Sequence, residues 1–148
     1  MSMIRLPSWR EVLDGPWAIR LRSGPTGAWL MRGEAENVPD LRCRVVSGIA
    51  ARTTADALSE VGDGLDVEGP LQGWDELPGA VSAEHPIALL VVDVDRLLAD
   101  EPDQLTALIA ALRTTADRVQ LRVIFQAREL SPDAEAVLSE FGVAEIAA

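Results

Sequence analysis

Ile87-Ala88-Leu89-Leu90-Val91-Val92 is an unbroken apolar run, preceded by His85-Pro86 and closed by Asp93. It is too short for an ordinary helix, and it lacks the alternation of a half-buried strand. It predicts a central strand buried on both faces, as in a parallel sheet. Downstream, Leu97-Leu98 make a small apolar turn. Asp100-Glu101-Pro102-Asp103 then supplies an N-cap candidate, early acids and an early proline. Leu105, Leu108, Ile109 and Leu112 follow at i, i+3, i+4 and i+7, the stripe of an amphipathic helix. Val119 to Phe125 is the next strand. Residues 87–125 therefore predict a right-handed βαβ unit with a parallel pair. Ser131-Pro132-Asp133 opens a last helix that ends at Gly142, and an edge strand is expected within Val143 to Ala147.

Upstream, Arg44 to Ile49 reads as the first strand of the main domain. Thr53 or Thr54 caps the helix after it, and Asp56 completes a motif like a capping box. Leu58 and Val61 give this helix its apolar stripe, and Gly62-Asp63-Gly64 ends it. Leu65 to Pro70 is an acidic loop. A short helix follows over Pro70 to Leu77. A proline inside a helix costs about 3 kcal/mol. So the helix either stops at Leu77 or starts near Trp74, with Pro78 in its first turn.

At the N-terminus Trp17, Ile19 and Leu21 alternate with Ala18, Arg20 and Arg22, a half-buried strand pattern. Gly24-Pro25-Thr26-Gly27 is a turn cluster, and Ala28-Trp29-Leu30-Met31 returns from it. The expectation is an N-terminal β-hairpin extension over 1–40. The main α/β domain then covers 41–148, with a helix–strand addition from about 127.

The 148 residues suit one domain, and 48% apolar composition is enough for a core. The net charge is −11, distributed as +2 over residues 1–44 and −13 over 45–148. All thirteen bases are Arg. Between Asp56 and Asp103 stand thirteen acids and one base, Arg96. Such a surface repels nucleic-acid phosphates and anionic membranes and suits a basic partner. The first seven residues hold no signal-peptide apolar region, and no stretch approaches the roughly 20 apolar residues of a membrane span. A cytoplasmic location is expected.

Catalytic equipment is sparse. Cys43 is the only cysteine, so no internal disulfide forms, and it reads as a small core residue beside Val45. His85 is the only histidine and reads as a loop residue. There is no Ser-His-Asp arrangement and no metal-ligand spacing. Gly62-x-Gly64 follows no strand, so it is a poor phosphate loop. Asp93 and Asp95 lie two apart at the C-terminal end of a predicted parallel strand, where α/β sheets place sites. They are either a divalent-cation pair of a metal-dependent enzyme or a solvated strand end with no third ligand.

One segment carries a resemblance. Gly73-Trp74-Asp75-Glu76-Leu77 resembles the Asn-Leu/Trp-Asp-Ala-Leu segment of the barstar family, intracellular inhibitors of secreted microbial ribonucleases. Val91 to Asp100 is similar to a stretch of longer actinobacterial members. The order of elements over roughly 44–126 follows the family pattern. The resemblance implies a small, mostly parallel three-stranded sheet packed with helices, with the hairpin and the helix–strand piece as additions. It implies no catalysis, no cofactor and no metal. It implies instead an inhibitor or toxin immunity protein whose acidic loop and short helix block a basic cleft by standing where substrate phosphates lie. The expected partner-binding positions are Asp66, Glu68, Gly73, Trp74, Asp75, Glu76 and Gly79. Gly79 stands where family members carry their second acid. The alternative within the same fold is a protein–protein interaction module without ribonuclease inhibition.

Overall fold

A computed structural model describes residues 9–22, 40–82 and 84–145. Its elements, in chain order, are α1 (Trp9–Asp14), β1 (Ala18–Leu21), β2 (Arg42–Ser47) and α2 (Thr54–Gly64). A 3-10 turn (Trp74–Glu76) then runs into α3 (Leu77–Ala80), followed by β3 (Ile87–Val92). A second 3-10 turn (Pro102–Gln104) leads into α4 (Leu105–Arg118), and β4 (Leu121–Gln126), α5 (Pro132–Glu140) and β5 (Ala144–Glu145) complete the set.

The five strands form one sheet in the order β2-β3-β4-β1-β5, and every pair is parallel. The apolar run of β3 follows from its place. Ile87, Leu89 and Val91 enter the core beneath α2, α3, α4 and α5. Ala88 and Leu90 enter a second cluster, with Trp9 and Val12 of α1 and Ile19 and Leu21 of β1. A strand buried on both faces has no polar positions to alternate. The stripe of α4 points inward as its spacing requires, with Leu105, Leu108, Ile109 and Leu112 all buried. Each such side chain contributes about 1.5–3 kcal/mol on burial.

The helix starts follow local chemistry. The Thr53 hydroxyl accepts the Asp56 N–H at 3.2 Å, and the Ser131 hydroxyl accepts the Ala134 N–H at 3.1 Å. Pro78 and Pro132 sit in the first turns of α3 and α5, where a missing N–H costs nothing. Of the two placements open for the short helix, the one starting near Trp74 is found.

Two expectations about the sheet are corrected. The expected three-stranded sheet is widened to five by β1 and by β5, the edge strand expected within Val143 to Ala147, and residues 18–21 are built into the sheet rather than set apart in an extension. β1 lies between β4 and β5, with Ala18 across from Val123 and Arg20 across from Glu145. All four of its residues are buried. Its partners are remote in sequence, so the pairing leaves no local turn signal, and the nearby Gly24–Gly27 cluster suggested a hairpin instead. Residues 28–31, the expected return arm, lie outside the described residues. Among the described residues no helix is long and apolar enough to cross a membrane.

Candidate functional site

The sheet order places a topological switch point beside β1. From β1 the chain runs to β2 at one edge, whereas from β4 it passes over β1 to β5 at the other. The direction of winding reverses beside β1, and ligands of open α/β sheets gather outside the carboxyl ends of strands at such a switch point. The chain leaving β1 reads Arg22-Ser23-Gly24-Pro25-Thr26-Gly27-Ala28-Trp29-Leu30-Met31. A phosphate loop at a strand end needs Gly-x4-Gly-Lys-Ser/Thr. Counted from Gly24, those last three positions hold Trp29, Leu30 and Met31, and the chain contains no lysine. In such sites Mg²⁺ is shared between an aspartate and the loop hydroxyl. Asp93 follows directly on β3, but a methionine at position 31 carries no side-chain hydroxyl.

Asp93 and Asp95 line one cavity of about 380 Å³ with Ile49, Arg52, Arg96 and Ala99, so two arginines share it with the two acids. Asp93 takes a left-handed backbone (φ 53°), and its N–H donates to the Gln126 side-chain oxygen at 3.3 Å. The Asp95 carboxylate lies 3.6 Å from Arg96 Nε. Among the described residues no group of three His, Cys, Asp or Glu side chains is placed to hold a metal ion.

The acids of residues 56–103 divide into two sets. One set is engaged within the fold. Asp66 accepts from Arg42 Nη1 at 2.8 Å and lies 3.5 Å from Arg44 Nη2, so the loop after α2 is pinned to β2. Glu101 accepts the Thr54 N–H at 2.9 Å and its hydroxyl at 3.1 Å, and Asp100 accepts from Arg52 Nη2 at 3.0 Å. With the Leu98 N–H on the Ala51 carbonyl and the Asp100 N–H on that of Arg52, these contacts tie the start of α2 to the turn before α4. Sequence spacing gave no sign of this clamp, because its partners lie 47 and 48 residues apart.

The second set faces outward. Asp75, Glu76 and Glu68 are exposed. Glu76 accepts the Gln72 N–H at 2.6 Å, which fixes the approach to the 3-10 turn. Gly73 is its extended N-cap, and Gly79 lies beside Arg118, whose Nη1 would be 3.7 Å from a Cβ there. Trp74 is 6% exposed and packs into the main core, and its Nε1 has no hydrogen-bond partner. Trp74, Asp75 and Pro78 form one wall of a groove of about 370 Å³, and Ala107, Ala110, Ala111 and Thr114 of α4 line the rest. Of the seven expected binding positions, Trp74 and Asp75 share this groove. Asp66 is drawn away to β2.

No protein-family model matches the chain, and no curated protein matches it. Solved structures do. A chain in the structure of Drosophila ORC bound to DNA superposes with TM-score 0.62 at 15% identity, over 93% of this chain and 82% of that one. A chain of Drosophila ORC bound to AT-rich DNA and Cdc6 gives 0.59 at 19% identity, over 93% and 50%. One from the complex with GC-rich DNA and Cdc6 gives 0.59 at 16%, over 91% and 50%. At these identities the likeness is one of fold.

Proposed function

We propose that this chain is a non-enzymatic protein-binding module that engages a basic partner through the exposed acids around the Trp74–Ala80 segment. The observation that carries the proposal is the unequal fate of the charges. Arg20, Arg22, Arg42, Arg52, Arg96 and Arg113 each lie within 4.0 Å of a carboxylate of the same chain. Asp75 and Glu68, by contrast, face solvent. Each of these pairs removes one carboxylate with one guanidinium, so the formal excess of −11 rests on the groups outside them, Asp75 and Glu68 included. Opposite charge steers encounter and fixes register, while an apolar groove beside it supplies the desolvated contact.

The fold neighbours are chains of complexes with DNA, but nucleic-acid binding suits this chain poorly. Phosphate contacts need uncompensated Lys or Arg, and among the described residues Arg20, Arg22, Arg42, Arg44, Arg52, Arg96 and Arg113 lie against acids. Nucleotide hydrolysis is equally ill served, since the segment after β1 has no lysine and does not carry the Gly-x4-Gly-Lys-Ser/Thr spacing of a phosphate loop.

The form of binding favoured by Asp75 and Glu76 on a short helix is active-site blockade of a ribonuclease or other toxin, with carboxylates in place of phosphates. Purified chain added to a basic ribonuclease tests this form. Stoichiometric inhibition that fades with salt supports blockade. Binding without inhibition leaves the plain interaction module.

A further inference from the structure

Arg20 is a charged residue where the fold asks for an apolar one. It lies on β1, an interior strand, on the same face as the core residue Ala18, and it is 5% exposed. Its Nη1 donates to Glu135 Oε1 of α5 at 3.0 Å, while Nε and Nη2 are buried with no partner. A buried guanidinium with most of its donors unmade is costly, and such an exception points to a role beyond packing.

Its surroundings form a cleft. Arg20 of β1, Arg22 just after it, Glu135 and Ser139 of α5, and Glu145 of β5 line a cavity of about 320 Å³ between α5 and the β1–β5 edge of the sheet. Arg22 pairs with Glu145, which lies in register with Arg20. Two guanidiniums and two carboxylates thus face one small space with no net charge. A simple anion would meet the two glutamates, and a simple cation would meet the two arginines. A molecule carrying both charges a few ångströms apart meets a complement for each. The Arg20 Nη1 that donates to Glu135 and the exposed Arg22 guanidinium suit a carboxylate, and the half-exposed Glu135 suits an ammonium.

We propose that the cleft between α5 and the β1–β5 edge binds a small zwitterion of the α-amino-acid class, its carboxylate on Arg20 and Arg22 and its ammonium on Glu135 and Glu145. This site lies on different elements from the acidic groove and does not depend on its function. A small ligand there ties β5 and α5 to the middle of the sheet.

The test is calorimetric titration of the full chain with each of the twenty common amino acids, with acetate and methylammonium as separate half-ligands. The expected result is saturable binding of one or a few amino acids, much weaker binding of either half-ligand, and loss of binding in Arg20→Met. Should Arg20→Met not fold, Glu135→Gln carries the test, since it keeps the shape of the cleft. It should weaken binding by about tenfold or more, or ~1.4 kcal/mol. No binding by any amino acid, acetate binding as tight as the best amino acid, or full binding by the folded variants would each overturn the proposal.

Discussion

Gly48 and Asp93 meet backbone to backbone. The Gly48 N–H donates to the Val92 carbonyl at 2.8 Å, and a Cβ on Gly48 would overlap the Asp93 carbonyl oxygen. The contact joins the ends of β2 and β3 just where Asp93 turns into the left-handed region. Backbone atoms cannot rotate aside as a flexible side chain can. Gly48→Ala should therefore destabilise the fold by about 1–3 kcal/mol, in the range of core overpacking. Denaturant unfolding should show a lower midpoint with an unchanged slope.

The N-cap of α2 gives a smaller and cleaner effect. Thr53→Ala removes the acceptor of the Asp56 N–H and should cost about 1 kcal/mol, whereas Thr53→Ser should cost little. Thermal melts of the two variants side by side separate the hydroxyl from the methyl. Equal losses would mean that packing, not capping, holds this residue.

Trp74 joins the groove to the core, and two substitutions divide its roles. Trp74→Ala should cost about 3–5 kcal/mol as a cavity opens among α3, α4 and the sheet. Trp74→Phe removes the unpartnered Nε1 donor along with one ring, so relief of the unmade hydrogen bond offsets part of the lost packing. Its unfolding free energy should lie much closer to wild type than that of Trp74→Ala. A loss as large as for alanine would mean that the indole's full volume is what the site requires.

The Arg22–Glu145 pair ties β5 to β1, and it predicts a pH dependence. Hydrogen bonding and attraction from Arg22 hold the Glu145 carboxyl below the usual glutamate range, against a smaller opposing effect of desolvation. A carboxyl whose pKa falls on folding stabilises the fold above its unfolded pKa. That contribution disappears as pH drops through the folded value. Both side chains are at the surface, so the effect should be small and screened by salt. Glu145→Gln should remove this part of the acid-side loss of stability while leaving the neutral-to-alkaline limb parallel to wild type. Hydrogen exchange of the Ala144 and Glu145 amides should speed up in the same variant.

What the sequence disclosed follows the range of its signals. β3 was legible to the residue, because burial on both faces demands six apolar side chains in a row. The α4 stripe, the Thr53 and Ser131 caps and the parallel β3–β4 pair were legible because periodicity, capping and connection length are local. The place of β1 was not, since parallel partners more than a hundred residues away leave no mark near Ala18–Leu21. α1 went unread because its one and a half turns are too short for periodicity to show. At the candidate site, the acids of residues 56–103 were visible as a density, but which of them are free was not. Asp66, Asp100 and Glu101 look like Asp75 in sequence, and only their arginine and threonine partners distinguish them. Arg20 was hidden by an alternation in which it took a solvent-facing position, whereas the insertion of β1 between two strands buries it.

The central claim is that exposed carboxylates beside the Trp74 groove engage a basic protein. Asp75 tests it most directly, because it is exposed and lines the groove, so replacing it should leave stability within about 0.5 kcal/mol of wild type. Wild-type and Asp75→Arg chains would be used as paired baits in a salt-graded capture, with bound proteins identified by mass spectrometry and both baits checked for equal melting temperature. The account predicts a basic protein that wild type holds at low salt, releases at high salt and binds measurably after purification, with binding reduced at least about tenfold by the charge reversal. A partner held equally by both baits, or held independently of salt, would contradict it.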